Sequence, residues 1–91
     1  MTAVLGTFAV RVMVTDVWDH VVLAVAPTTT LRELKREALT RALRRAEIPL
    51  ARYIVKFRGA PVLDESLSLG DLGAGPNSPF IVLPVQKQPV R

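Results

Sequence analysis

The sequence predicts an α+β domain, a mixed sheet of four to five strands packed on one helix, with the element order β-β-α-β-β-β. Two observations carry this prediction. Only one stretch, residues 30–46, repeats apolar residues every three to four positions, as one face of a helix does. The other apolar segments are short, and turn-forming residues bound them, which is typical of strands.

The helix is predicted to begin after Thr30 and to run through Ala46. The Thr30 side chain can accept a hydrogen bond from a first-turn amide, and Glu33 can reach back to the Thr30 backbone, which makes a capping box. Pro49 ends the pattern because it cannot donate to a helix ladder.

Five strands are predicted around this helix. They cover residues 8–14, 21–26, 53–57, 62–63 and 80–85, and a helical turn is expected at 69–72. The short connection at 15–20 makes the first two strands an antiparallel hairpin. A right-handed crossover through the helix then places the last strand parallel to the first.

Length and composition predict a single domain over residues 1–91, with a core at about 8–85 and a flexible tail at 86–91. The chain has no cysteine, so disulfides, thiolate metal sites and cysteine nucleophiles are excluded. No apolar run is long enough to span a membrane, and no basic segment precedes an apolar run at the N-terminus. A cytoplasmic location is therefore expected.

Catalytic and metal-binding patterns are weak. Asp16, Asp19 and His20 form the only oxygen–nitrogen cluster, and a hairpin turn uses aspartates for backbone hydrogen bonds in any case. His20 is the only histidine, so a Ser-His-Asp arrangement has no histidine elsewhere. The sequence predicts a non-catalytic protein without a metal or cofactor.

The net charge of +4 permits a nucleic acid, an acidic lipid or an acidic protein as partner. Much of the positive charge lies on the predicted helix, where a solvated helix face is the simpler interpretation and a basic nucleic-acid-binding surface the functional one. Few aromatic residues accompany it, which disfavours base stacking. The candidate basic surface is Arg32, Arg36, Arg41, Arg44 and Arg45.

The sheet side that faces away from the helix is more apolar than a free monomer requires. Met13, Ile81 and Leu83 point to this outer side, and Trp18 lies at one end, in the first hairpin turn. Tryptophan is enriched among interface anchors. A contiguous exposed apolar surface here would indicate a protein partner, or a homodimer through the outer sheet face.

Three segments carry a resemblance to the ubiquitin-like β-grasp family. VAPTTTLRELK (25–35) resembles the strand end, proline, capping threonine and helix start of ubiquitin. IPLARYIVKFRGAPVLDESLSLGDL (48–72) resembles its Ile-Pro after the helix, its third strand and the turn that follows. SPFIVLPV (78–85) resembles its last strand. The three occur in the family's order and at nearly its spacing.

The resemblance implies a ubiquitin-like fold with a partner surface on the outer sheet face. Lys56 replaces the central apolar residue of ubiquitin's recognition surface, whereas Ile54, Ile81 and Leu83 stay apolar. By the same resemblance, Lys35 pairs with an acid after the third strand, for which Asp64 is the candidate. The predicted interaction residues are Met13, Trp18, Ile54, Lys56, Ile81 and Leu83.

The C-terminal residues Gln88 to Arg91 do not include the diglycine that conjugated family members expose, so conjugation and sulfur transfer are not expected. Among non-conjugated relatives, the chain is most similar to the bacterial YukD/EsaB group, which is associated with type VII secretion. A ubiquitin-like accessory subunit of a multicomponent enzyme is another interpretation. Both follow from analogy, because fold alone does not set function.

Overall fold

The computed structural model describes residues 7–44 and 47–85. The predicted tail, 86–91, lies outside the described residues. The elements follow the predicted order, with a short 3₁₀ turn at Leu50–Arg52 ahead of the third strand. They are β1 (Phe8–Val14), β2 (Asp19–Val25), α1 (Leu31–Leu43), β3 (Tyr53–Phe57), β4 (Ala60–Val62), α2 (Leu69–Leu72) and β5 (Pro79–Pro84).

The five strands form one mixed sheet in the order β2-β1-β5-β3-β4. β1 and β5 are parallel, as the crossover rule predicts, and the other neighbours are antiparallel. The first hairpin is tighter than predicted. Asp19 and His20 pair with Val14 and Met13, so β2 begins two residues before the predicted Val21.

The fourth strand is also displaced from its prediction. It covers Ala60–Val62 rather than 62–63, because Arg58 and Gly59 turn the chain at once with φ angles of 56° and 84°. Phe57 then pairs directly with Ala60. The guanidinium carbon of Arg58 lies 4.8 Å from the centre of the Phe57 ring, an attractive cation–π contact beside this turn.

The start of α1 is confirmed and its end is not. The Glu33 amide donates to the Thr30 hydroxyl at 3.2 Å, and the Thr30 amide donates to the Glu33 carboxylate at 3.0 Å. The helix ends at Leu43, before the predicted Ala46. Arg44 turns into the left-handed region (φ 57°), where its amide donates to the Thr40 carbonyl and closes the last turn.

A single apolar layer fills the space between α1 and the sheet. Alternate strand residues face the helix, and the rings of Phe57 and Phe80 stack with centroids 4.7 Å apart. None of the helices described is long and apolar enough to cross a bilayer. The buried apolar residues are Val10, Val12, Val14, Leu23, Val25, Leu31, Leu34, Ala38, Leu39, Val55, Phe57, Leu69, Phe80 and Val82.

One charged side chain, Lys35, is buried among these residues and is 2% exposed. Its ammonium donates to the Leu50 carbonyl at 2.7 Å, the Tyr53 carbonyl at 2.9 Å and the Glu65 carboxylate at 2.8 Å. All three ammonium protons therefore have acceptors, which offsets the cost of removing the charge from water. Lys35 thereby ties α1 to the segments on both sides of β3 and β4.

The predicted Lys35–Asp64 pair is wrong, because the partner is Glu65. Asp64 is occupied locally: its carboxylate accepts from the Ser66 hydroxyl at 2.5 Å and from the Ser66 amide at 3.1 Å. These bonds stabilise the ionised form, the hydroxyl more than the amide, and lower the pKa of Asp64 below its ordinary value. Asp64 therefore stabilises its own turn, and Glu65 is the residue that binds Lys35 in α1.

The first turns of α1 and α2 are joined by reciprocal backbone hydrogen bonds. The Leu31 amide donates to the Leu67 carbonyl at 2.9 Å, and the Leu69 amide donates to the Thr29 carbonyl at 2.8 Å. Gly70 donates to the Pro27 carbonyl at 2.8 Å, and a Cβ added at Gly70 would stand 3.2 Å from that oxygen. Each helix start thus supplies acceptors for the amides of the other.

Ser68→Ala is expected to lower the free energy of unfolding by about 1 kcal/mol. The Ser68 hydroxyl accepts from the Asp71 amide at 3.0 Å, while the Asp71 carboxylate accepts from the Ser68 amide at 3.1 Å, so the change removes one half of a capping box. Urea denaturation measures the difference. Ser68→Asp is the control, because it keeps an acceptor at the cap, and an equal loss in both variants would contradict the capping role.

Candidate protein-interaction surface

The outer sheet face carries a row of aligned side chains that crosses every strand. Met13 lies opposite Ile81, and Ile81 lies opposite Lys56. His20 extends the row beyond Met13, and Pro61 extends it beyond Lys56. Directly opposed residues have Cβ atoms about 4.5–5.5 Å apart, so these side chains form one contiguous surface.

Ile54 and Leu83 oppose each other beside this row, and Trp18 stands at its hairpin end. The structure therefore brings all six predicted interaction residues to the same face. We call this set, Met13, Trp18, Ile54, Lys56, Ile81 and Leu83, the outer patch.

Two residues of the outer patch, Trp18 and Ile81, are exposed, and the other four are half-buried. Trp18 is 77% exposed, and Ile81 is 39% exposed although its neighbours in β5, Phe80 and Val82, are buried. Val22, on the same face of β2, is 59% exposed. Burying an exposed tryptophan ring on a partner removes a large apolar area from water, which is the usual role of an interface anchor.

A shallow depression of about 670 Å³ lies between Trp18 and β5. Three of its lining residues, Met13, Trp18 and Ile81, are among the predicted interaction residues, whereas Arg11 and His20 are not. Strand alternation could have found both, because Arg11 shares the parity of Met13, and His20 becomes its partner once β2 begins at Asp19. The remaining lining residues are Thr15, Asn77, Pro79 and Phe80.

The charge on this face is positive. The strand residues in register on the outer side include Arg11 and Lys56, and among the described strand positions of that parity there is no carboxylate. Asp16, in the hairpin turn, is engaged with the start of β3, where the Tyr53 hydroxyl donates to its carboxylate at 2.5 Å. An apolar surface with cationic side chains complements an apolar partner that carries acidic groups.

Asp16, Asp19 and His20 lie in or beside the first hairpin turn. The Asp16 carboxylate accepts a hydrogen bond from the Tyr53 hydroxyl, and Asp19 is the strand partner of Val14. Over residues 7–44 and 47–85, no three acidic or imidazole side chains converge to hold a metal ion. The contacts of Asp16 and Asp19 fix the hairpin against the sheet.

The predicted basic surface is only partly free. Arg32, Arg36 and Arg44 are exposed on α1 or at its end, but the Arg41 guanidinium pairs with the Glu37 carboxylate at 2.8 Å. This pair is the i,i+4 arrangement that their spacing favours. Arg45 lies outside the described residues. Arg32 and Arg36 lie four residues apart on one helix face, whereas Glu33, Glu37 and Arg41 lie together on the neighbouring face.

Comparison with known proteins finds likeness in three-dimensional structure alone. No protein-family model matches the chain, and no curated protein matches it. Among solved structures, a ubiquitin from Caldiarchaeum subterraneum superposes with a TM-score of 0.74 at 14% identity, covering 90% of this chain and 98% of its own.

Two further solved structures with ubiquitin-like folds superpose on the chain. The ubiquitin-like domain of an Arabidopsis thaliana protein has a TM-score of 0.72 at 18% identity, covering 99% of this chain and 89% of its own. A de novo design based on ubiquitin has a TM-score of 0.72 at 17% identity, covering 92% and 95%. The sheet order, the parallel β1–β5 pair and these superpositions establish that the chain has the ubiquitin-like β-grasp fold.

Proposed function

We propose that this protein is a non-catalytic, ubiquitin-like interaction module that binds another protein through the outer patch. The observation that carries the proposal is the exposure of Trp18, 77%, beside the apolar pair Met13 and Ile81. Leaving these side chains in water is unfavourable, and a partner that covers them gains about 25 cal/mol for each Å² of apolar area.

The partner's chemistry follows from the side chains around the apolar row. Lys56 lies next to Ile81 in the row and Arg11 lies beside the row, so a partner with acidic side chains flanking an apolar centre is complementary. An apolar residue of the partner would occupy the depression next to Trp18. Lys56 also distinguishes this surface from that of ubiquitin, so the partner need not be a reader of ubiquitin.

The finer assignment is part of the proposal and rests on the sequence resemblance. It places the protein with the non-conjugated bacterial ubiquitin-like proteins of the YukD/EsaB type, as a cytoplasmic accessory component of a secretion or other multiprotein system. A tether between larger proteins needs an exposed recognition face, a stable fold and no catalytic group, and the outer patch supplies the first of these.

The outer patch is a stronger candidate than the basic helix for the main contact. Arg41 is neutralised by Glu37, and Glu33 lies on the same helix face, which lowers the positive potential that phosphate binding needs. The two surfaces also predict different salt responses. Phosphate contacts weaken steeply as salt rises, whereas apolar burial does not.

The test is retention of proteins from a cell extract by the immobilised chain, compared between variants by mass spectrometry. Trp18→Ala and Ile81→Glu are expected to abolish retention of a specific partner, because they remove the anchor or bury a carboxylate in the apolar row. Arg36→Glu is the matched control, because it changes charge on the helix and leaves the outer patch intact.

The proposal predicts that retention persists in high salt and after nuclease treatment. A protein set held equally by wild type and Ile81→Glu would contradict it. Loss of retention in Arg36→Glu, together with sensitivity to nuclease, would assign the contact to the basic helix instead. Circular dichroism of each variant verifies that the fold is retained.

A further inference from the structure

The two edges of the sheet are protected very differently. At one edge, β4 is three residues long and contains Pro61, which has no amide to offer a further strand. At the other edge, β2 is seven residues long, with the sequence DHVVLAV, and contains neither proline nor lysine. Natural proteins seldom leave so long an apolar edge strand unpaired.

The direction of the free backbone groups on β2 follows from the bonds on the far side of β1. The amides of Arg11 and Thr15 donate to β5, to the carbonyls of Ser78 and Val82, both at 3.1 Å. Odd-numbered residues of β1 therefore face β5 and even-numbered residues face β2.

The backbone groups of β2 alternate in the same way, because Val12 pairs with Val21 and Arg11 pairs with Val22. Odd-numbered residues of β2 bond to β1, so His20, Val22 and Ala24 direct their amides and carbonyls away from the sheet. No hydrogen bond within the described ranges uses these groups.

This pattern is self-complementary. If a second β2 approaches antiparallel with its axis of symmetry at Val22, then Val22 faces Val22 of the copy and His20 faces Ala24. Each facing pair exchanges both its amide and its carbonyl, as hydrogen-bonded pairs do in antiparallel sheets. A two-fold interface requires this kind of match, in which one surface complements itself.

The helix leaves this edge open. A depression of about 210 Å³ lies between β2 and α1, lined by Leu23, Ala24 and Val25 of the strand and by side chains of the helix. The three residues with outward backbone groups, His20, Val22 and Ala24, are all exposed, so α1 does not cover the edge.

The distance between the two helices is compatible with this pairing. α1 contacts β2 chiefly and β1 as well. If each helix axis lies between these two strands, joining the β2 edges sets the axes two strand spacings, roughly 10 Å, apart, which is a distance of packed helices.

We propose that two copies of this chain join through their β2 edges, antiparallel about Val22, into one continuous sheet with the two α1 helices side by side. The dimer leaves the outer patch of each copy exposed on one face of the joined sheet. It therefore goes beyond the proposed function and does not depend on it, and each dimer would present the outer patch twice.

Sedimentation velocity over a concentration series tests the dimer. Wild type is expected to sediment at twice the monomer mass, and Val22→Pro at the monomer mass, because proline removes an amide that points to the free edge and leaves the ladder with β1 intact. Val22→Thr is the matched control. It keeps the amide and the branched side chain, and it is expected to remain dimeric.

A charge substitution at the axis supplies a second test. Val22→Lys sets two lysines directly opposite each other, where like charges are destabilising, and is expected to raise the dimer dissociation constant about tenfold or more. Arg36→Glu, a charge change on α1 away from this edge, is expected to leave the constant unchanged.

Clear outcomes overturn the proposal. A wild type that stays monomeric up to its solubility limit overturns it, and so does a dimer that survives in folded Val22→Pro. A dimer that dissociates with Ile81→Glu but not with Val22→Pro is an outer-face dimer and equally excludes the edge. If Val22→Pro fails to fold, Val22→Lys decides, and an unchanged dissociation constant in that variant refutes the interface.

Discussion

Lys35→Ala is expected to lower the free energy of unfolding by about 3–5 kcal/mol. The lysine is 2% exposed, and its ammonium supplies donors to the Leu50 and Tyr53 carbonyls and to Glu65. Alanine leaves both carbonyls without this donor, and it leaves the Glu65 carboxylate, only 22% exposed, without its counter-charge. Guanidinium or urea denaturation measures the loss.

The neighbouring Arg36→Ala is the control for this change. Arg36 is exposed on the next position of the same helix, and its loss is expected to alter stability by no more than about 0.5 kcal/mol. Glu65→Gln should fall between the two, because the amide keeps an oxygen acceptor for Lys35 but loses the charge. A Lys35→Ala protein as stable as Arg36→Ala would show that the buried ammonium is not a structural requirement.

Phe80→Ala is expected to cost about 3–5 kcal/mol, the usual range for a buried phenylalanine. The ring is 1% exposed and stacks on Phe57 at 4.7 Å, in the core beneath α1. Truncation removes the transfer free energy of the ring and leaves a cavity between β5 and β3 that a rigid sheet fills poorly. The midpoint of chemical denaturation should fall with little change in its slope.

Ile81→Ala is the matched control, because Ile81 follows Phe80 in the same strand but points to the outer side and is 39% exposed. Its stability cost should be well below that of Phe80→Ala. Equal losses at the two positions would mean that the outer side is covered in solution, and the comparison should then be repeated at low protein concentration.

Patterns with a strict period could be read from the sequence, and the resulting predictions are accurate. Alternation assigned the inner residues of β1 and β5, and the threonine–glutamate spacing located the start of α1. The end of α1 was predicted too late because apolar periodicity continues past Leu43. What stops the helix is the left-handed conformation of Arg44, a residue without the usual preference of glycine for that region.

The chemistry of the site was less accessible than its location. The six residues of the outer patch could be placed on one face by parity and resemblance. Arg11 shares that parity but was not assigned to the site, and the position of His20 depended on β2 beginning at Asp19 rather than at Val21. The partner of Lys35 was missed for a similar reason. Asp64 and Glu65 are neighbouring carboxylates, and the sequence does not distinguish them. The hydrogen bonds from Ser66 hold Asp64 in its own turn, so Glu65 is the carboxylate that reaches Lys35 in α1.

The reciprocal bonds between the starts of α1 and α2 limit how the chain can change in evolution. The segment between β4 and β5 looks like a long surface connection, and such connections usually accept insertions. Here the carbonyls of Glu65 and Leu67 accept from the Arg32 and Leu31 amides, so lengthening the chain between them would remove acceptors from two of the first-turn amides of the main helix. This stretch should therefore keep its length among relatives, however freely its exposed side chains vary.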